Sequence, residues 1–198
     1  MNKPSLDEIK RASKLKIIAG KWRSRQVLFS PMLGLRPTGN RGRERLFSWL
    51  GQRLQGAHCA DLFAGSGALS FEALSRGAAT CIAIDCQPQA LRWLRYNAEQ
   101  LQAQHLSCQR EDSTELIERP PTRPMDLIFV DPPFAANCSS QVCAKLERHD
   151  WLATGAVIYV ELPKRSTGFC APANWRLWRQ AITGDVDSRL YTRIEPPS

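Results

Sequence analysis

Two short stretches of this chain carry side chains whose types and spacing suit chemistry on a bound small molecule. In the first, Asp61-Leu-Phe63-Ala-Gly65-Ser-Gly67, an acid at the end of an apolar run precedes two glycines. Glycines at such a turn let a ligand rest against the backbone at the start of a helix. A dinucleotide fingerprint would carry a third glycine where Ser70 stands, and an acid at position 61 would repel a pyrophosphate. That acid suits instead a ligand with an ammonium group and a nearby sulfonium. A second acid, Asp85, ends the next apolar run, where a carboxylate can accept hydrogen bonds from both ribose hydroxyls. Together the two acids point to S-adenosyl-L-methionine rather than a dinucleotide. Asp112, with Ser113 beside it, follows the third apolar run and is expected to face the adenine. By spacing alone Asp112 reads equally well as a solvated loop acid.

The second stretch, Asp131-Pro132-Pro133-Phe134, directly follows the apolar run 127–130. An exocyclic amine of a nucleobase is a poor nucleophile because its lone pair is delocalised into the ring. Two acceptors aimed at its hydrogens can draw the nitrogen toward tetrahedral geometry. Asp131 supplies one acceptor and the carbonyl of Pro132 the other, while Pro132 and Pro133 fix the backbone and remove competing donors. Phe134 offers a face on which an extruded base can stack. A cysteine nucleophile for carbon methylation is missing from this motif, the nearest being Cys138.

These residues need elements that bring them to one edge. Strands are predicted over 59–63, 80–84, 106–109, 125–130 and 156–160, and helices over 68–76, 89–102 (opened by Pro88) and 140–148. Segments 175–182 and 188–194 read as a closing hairpin. Alternating strands and helices imply a parallel sheet covered on both faces, with ligands outside the carboxyl ends of the strands. Upstream, 1–14 reads as a loose or weakly helical tail, 15–29 as two short strands around residues 20–24, and 31–40 as a loop. Residues 41–54 read as a helix with Asn40 as its N-cap. The expected division is a tail (1–14), a basic hairpin and loop that dock on RNA (15–40), and a catalytic domain (41–198).

Charge supports that division. Residues 1–56 hold 13 Lys and Arg against 3 acids, whereas the rest of the chain is close to neutral. A positive arm on a near-neutral body is the footprint of phosphate-backbone binding, and Lys21, Arg23, Arg25, Arg36 and Arg41 are its candidate contacts. The bland alternative is a solubilising tail, but Ile17, Ile18, Trp22, Val27, Leu28 and Phe29 imply that the arm folds. No run approaches the roughly 18 apolar residues of a membrane span. The 7 cysteines are odd in number and contain no C-x-x-C, which reads as a reduced, cytoplasmic protein without a disulfide or zinc framework.

The motifs D-L-F-A-G-S-G-A-L (61–69), D-P-P-F (131–134) and I-Y-V-E (158–161) closely resemble the RsmD family of bacterial ribosomal RNA methyltransferases. So do I-I-A-G-K-W-R (17–23), L-R-P-T (35–38), R-x-R-E-R-L-F (41–47), P-A-N-W (172–175) and R-L-Y (189–191), so the resemblance runs over nearly the whole chain from residue 15. It implies a Rossmann-like, seven-stranded class I S-adenosylmethionine-dependent methyltransferase fold with a small N-terminal basic β-hairpin. The implied reaction is methylation of the N2 amine of one guanine, position 966 of 16S rRNA in customary numbering. Its implied partner is 16S rRNA within an assembled or assembling small ribosomal subunit, without a metal, and the enzyme is expected to be a monomer. Gly39, Asn40 and Gly42 depart from the family pattern R-P-T-x-D-R-V, replacing an acid by an amide at position 40.

Several rivals use similar parts. A DNA amino-methyltransferase would share the motif but calls for a target-recognition insertion that 198 residues leave no room for. A protein-glutamine methyltransferase usually carries Asn in place of Asp131 and needs no basic arm. A non-catalytic RNA-binding assembly factor would have no reason to keep Asp61, Gly65, Gly67, Asp85 and Asp131 together.

Overall fold

Strands that are apolar on both sides must be covered on both sides, and this chain supplies the covering elements between them. The structure, a computed structural model, describes residues 3–31, 39–133 and 138–194. In chain order come helix α1 (Leu6–Arg11), strands β1 (Ser13–Lys16) and β2 (Gln26–Phe29), and helix α2 (Asn40–Leu50), which continues into a 3-10 turn (Gly51–Leu54). Then follow β3 (His58–Asp61), α3 (Ala68–Ser75), β4 (Thr80–Ile84), α4 (Pro88–Leu101), β5 (Leu106–Gln109) and the short α5 (Ser113–Leu116). The chain ends with β6 (Met125–Val130), α6 (Ser139–Arg148), β7 (Leu152–Pro163), β8 (Trp175–Thr183) and β9 (Val186–Arg193). Strands β3 to β9 form one seven-stranded sheet in the order β5-β4-β3-β6-β7-β9-β8, the expected Rossmann-like α/β architecture. The strands from β5 across to β7 are parallel, while β9 and β8 run antiparallel.

Alternation along each strand feeds two cores. On β6, Leu127 and Phe129 enter one cluster and Ile128 and Val130 the other; on β7, Val157 and Tyr159 part from Ile158 and Val160 in the same way. Helices α2, α3 and α4 cover the first cluster with Phe47, Phe71 and Leu94, and α6 covers the second with Val142 and Leu146. Each such side chain contributes about 1.5–3 kcal/mol of burial free energy.

The β1–β2 hairpin packs into the first cluster through Leu15, Ile17, Val27 and Phe29, and its backbone is held by side chains of α3 and α4. Glu72, fully buried in α3, accepts from the N–H of Ile18 (2.8 Å) and of Ala19 (3.1 Å). The same carboxylate pairs with Arg76 (2.6 Å) and with the buried Arg43 of α2 (3.6 Å). Asn97 of α4 treats Leu28 as a neighbouring strand would, accepting from its N–H (2.9 Å) and donating to its carbonyl (2.7 Å). The hairpin's turn lies against the last turn of α3, where the N–H of Lys21 donates to the Ser75 carbonyl at 2.7 Å. Gly20 sits there at φ +83°, and a Cβ on it would stand 1.8 Å from that carbonyl oxygen, so only glycine fits.

Two local expectations change. The predicted cap Asn40 is instead the first helical residue, Gly39 being the N-cap, and its side chain accepts from the Arg43 guanidinium at 2.8 Å. A buried guanidinium needs acceptors more than an exposed helix end does, so the amide turns inward. Within the segment read as a tail, α1 starts with a capping box between Ser5 and Glu8, and Glu8 pairs with Arg92 of α4.

Removing the Glu72 charge leaves Arg43 buried without its counter-ion. Glu72→Gln is expected to cost about 3–5 kcal/mol in urea denaturation and to raise amide exchange at Ile18 and Ala19. A loss under about 1 kcal/mol would show that hydrophobic packing alone holds the hairpin.

Candidate active site

The sheet has a crevice where its connection order reverses. From β3 the chain proceeds outward through β4 and β5, then returns to the other side of β3 with β6 and β7. Ligands bind in such sheets outside the carboxyl ends of the strands at this switch point. Asp61 ends β3 level with Phe129 of β6, so Asp131 stands two residues, about 7 Å, further along on the adjacent strand.

Asp61 is buried at 1 % exposure. One of its oxygens accepts from the Ser70 hydroxyl at 2.6 Å. Among the described residues the other, Oδ1, is the single buried carboxylate oxygen without a hydrogen bond. Burial pushes its carboxyl up to about 6, against the opposing pull of the Ser70 hydroxyl, and the charge of Asp85 adds to the rise. An unsatisfied buried acceptor at a ligand crevice is a seat for a donor, best of all a cationic one.

Asp85 fastens the glycine turn. Its carboxylate accepts from the N–H of Gly65 and, at the start of α4, from the N–H of Gln87, each at 2.8 Å. Burial raises this carboxyl above its ordinary range in spite of those donors. The group remains partly exposed, so lone pairs stay available to hydroxyl donors. Gly67 takes φ +78°, and a Cβ there would lie 2.5 Å from Leu94 and 2.7 Å from Phe71. Its role is therefore close packing of the turn on α3 and α4.

Asp112 and Ser113 part company. Asp112 is exposed and caps α5 through Oδ1, accepting from the N–H (2.8 Å) and hydroxyl (2.6 Å) of Thr114. These bonds hold its carboxyl below the usual range. Ser113 is buried, and its hydroxyl donates to the Leu62 carbonyl beside the glycine turn, so its side chain positions the loop. Phe63 is half-buried against the second core cluster.

Asp131 follows β6 half-buried, Pro132 is buried and Pro133 exposed, while Phe134 lies outside the described residues. Behind them is a polar group that motif reading left without a role. The buried Tyr159 hydroxyl donates to Glu161 at 2.6 Å, and the Ser188 hydroxyl lies 3.1 Å away. Burial and then Glu161 drive the Tyr159 phenol well above its ordinary range, and Asp131 is close enough for its charge to add to this. A cleft of about 590 Å³ opens beside Pro132 and Pro133, walled by Ser140 of α6 and by Arg165 and Phe169 of the β7–β8 loop. That volume suits a small-molecule-sized guest such as a base. Ser140, Arg165 and Phe169 were invisible as site residues in the sequence, because only the return of β7 beside β6 brings them to the motif. A more open hollow of about 300 Å³ at the amino ends of the strands, beside Arg53 and Asp126, holds none of the residues expected from sequence.

The expected RNA contacts are dispersed. Arg41 is exposed in the first turn of α2, at the catalytic end, and Arg36 lies outside the described residues. Lys21, Arg23 and Arg25 are exposed, but at the opposite end of the molecule. Lys21 meets the last residue of α3, and Arg25 donates to the Gln100 carbonyl near the end of α4, at 2.9 Å. Both helices start at the catalytic edge, so the turn lies at least the length of α3, about 12 Å, below it.

The orphaned oxygen sets a pH signature. Below about 6 Asp61 is protonated in the free protein and cannot present a full negative charge to an ammonium group. Affinity for S-adenosyl-L-methionine should therefore rise with pH through about 6 and then level off. Asp61→Asn should flatten that profile and weaken binding by about 1.5–3 kcal/mol, as calorimetry would read. A flat profile in the unmodified protein would place the ammonium elsewhere.

Comparison with known proteins assigns the chain to a family. The family model described as Conserved hypothetical protein 95 matches residues 15–192. Ribosomal RNA small subunit methyltransferase D of Escherichia coli is 38% identical over 182 residues, covering 92% of this chain and 91% of that protein. Its namesake in Haemophilus influenzae is 37% identical over 180 residues, covering 89% and 93%. The solved Escherichia coli structure of yhhF superimposes with a TM-score of 0.85 at 38% identity, covering 93% of this chain and 100% of that one. The chain thus belongs to the Conserved hypothetical protein 95 family, that of the RsmD ribosomal RNA methyltransferases.

Proposed function

We propose that this enzyme transfers a methyl group from S-adenosyl-L-methionine to the N2 amine of a guanine in 16S rRNA of the small ribosomal subunit. The observation that carries the reading is the pairing on adjacent strands of an unsatisfied buried acceptor, Asp61 Oδ1, with the Asp131-Pro132-Pro133 turn beside a base-sized cleft. When bound, S-adenosyl-L-methionine supplies the electrophilic methyl group. Asp61 receives the ammonium group, Asp85 the ribose hydroxyls, and Asp112 lies on the adenine side. Asp131 and the Pro132 carbonyl accept from the two amine hydrogens, holding the nitrogen lone pair toward the methyl. The guanine occupies the cleft, with Phe134 as a stacking face. Proximity and orientation supply most of the acceleration. The nitrogen–carbon bond would form as the methyl's bond to the sulfonium sulfur breaks, leaving a neutral thioether; the nitrogen becomes cationic, and Asp131 takes the surplus proton. The proposed setting is the cytoplasm, with the enzyme a monomer that uses no metal. Among the described residues no helix is long and apolar enough to cross a membrane.

The decisive assay offers labelled cofactor with small subunits, naked 16S rRNA, DNA and ribosomal protein, followed by nucleoside analysis. Label in N2-methylguanosine from subunits is expected; label in DNA, protein or another nucleoside would sink the reading. Asp131→Ala should lose turnover by roughly 100-fold or more while binding cofactor normally. Cofactor binding lost along with turnover would move Asp131 from the amine to the cofactor.

The hairpin turn gives a separate expectation. Lys21, Arg23 and Arg25 stand at the far end from the chemistry, so they contact RNA well away from the target base. Reversing all three charges should flatten the salt dependence of subunit binding by roughly two to three units of log affinity per log salt, with cofactor affinity unchanged. Equal slopes in the two proteins would make the turn a solubilising element.

A further inference from the structure

We infer that the groove between α2 and β8 seats the sugar–phosphate backbone of RNA flanking the target nucleotide. The inference rests on the proposed RNA substrate and joins arginines of the basic first quarter to arginines of β8 that the sequence did not single out. Along α2, Arg41, Arg45 and Trp49 recur at intervals of four, which puts them on one stripe about 12 Å long, and Arg53 follows in the 3-10 turn beyond Gly51. Facing this stripe is β8, the last strand of the sheet, with one edge unpaired by any strand among the described residues. Arg176 and Arg179 of β8 pair across β9 with Thr192 and Leu190, and Leu190 belongs to the core cluster that α2 covers. A register shift between Leu177 and Arg179 brings Trp178 to that same side, where it packs against the cluster.

The two tryptophans hold the cations in place. Arg53 lies 4.7 Å and Arg179 5.3 Å from the Trp178 ring centroid, and Arg45 lies 5.6 Å from that of Trp49. Arg45 also donates to Thr183 at 2.5 Å, joining the two walls. Among the described residues none of Arg45, Arg53, Arg176 and Arg179 is in an ion pair with a carboxylate. Glu44 is the single acid in α2, its 3-10 turn and β8. Guanidinium groups laid on indole rings and left without a counter-ion present preordered forks of N–H donors, which match phosphate oxygens. With the ring faces so occupied, the surface suits the backbone better than stacked bases, and it carries no sequence readout. Position favours RNA next to the target. α2 begins at the catalytic end, and Thr183 pairs with Val186, which in turn pairs with Pro163 on the wall of the cleft. The upper end of the groove is thus two strands, about 10 Å, from that wall.

The test compares the wild type with Arg45→Glu/Arg53→Glu/Arg179→Glu, using assembled small subunits at three salt concentrations. The KM for subunits should rise at least tenfold at low salt while kcat at saturation and cofactor affinity stay within twofold. The slope of log affinity against log salt should flatten by about two to three units. Co-sedimentation with subunits gives the same comparison without turnover. An unmethylated subunit in the wild-type reaction would count against the proposed reaction, whereas equal sedimentation and equal slopes for the two proteins would overturn the groove. Should the triple variant melt early, Arg179→Glu alone is expected to flatten the slope by about one unit, and a slope equal to that of wild type would overturn the inference equally.

Discussion

A carboxylate with no access to water has to be surrounded by donors, and Glu72 obtains them from three separate parts of the chain. Two backbone N–H groups of the hairpin, the side chain of Arg76 at the C-cap of α3, and Arg43 from α2 converge on it. The helix that carries Glu72 is the one that leaves the glycine turn, since Gly67 is its N-cap. Hairpin, α2 and cofactor loop are therefore tied through one helix of eight residues. The described hairpin and α2 of the basic quarter are consequently part of the body rather than an arm. Ser75 and Asn97 repeat the device, using polar side chains to satisfy backbone groups that a two-stranded hairpin leaves open.

At the catalytic edge the acids differ by environment rather than by type. Asp61 and Asp85 are both lifted by burial, but Asp85 spends its donors on shaping the turn, whereas Asp61 keeps one oxygen unmatched. Asp112, solvated and capping, is lowered. In the free protein the buried Asp61 charge is unfavourable, and the proposed ammonium group would relieve it, which would make the site selective for a cation-bearing ligand over a pyrophosphate. Behind Asp131 the buried Tyr159 hydroxyl donates to Glu161, and the charge of Asp131 adds to the rise of that phenol.

The positive charge of the first quarter is divided by the fold. Lys21, Arg23 and Arg25 go to the end remote from the chemistry, while Arg41 and Arg45 lie along α2 toward it and Arg53 follows in the 3-10 turn. Arginines from the near-neutral remainder, Arg176 and Arg179, complete the second group. Net charge by segment thus says how much positive potential a chain has and little about where it is displayed, because strand pairing assigns the faces.

Much of the architecture was legible because its signals are local. Apolar runs of four to six residues, the turn glycines and Pro88 at the first position of α4 each report on neighbours within one element, so strands, helices and their order could be read directly. The same holds for the places of Asp61, Asp85 and Asp131, which the apolar runs before them put at strand ends. Tertiary structure decided what depends on residues far apart in sequence. Asn40 turned from cap to partner of a buried arginine, Ser113 was committed to Leu62, and Phe169 arrived at the motif only with the β7–β8 loop. The hairpin turn faces away from the chemistry because Ile18 meets Glu72 across 54 positions, a contact between a backbone amide and a helical carboxylate that no spacing rule encodes. Local patterns specify which elements form; the desolvation of charged groups between those elements specifies where each functional side chain ends up.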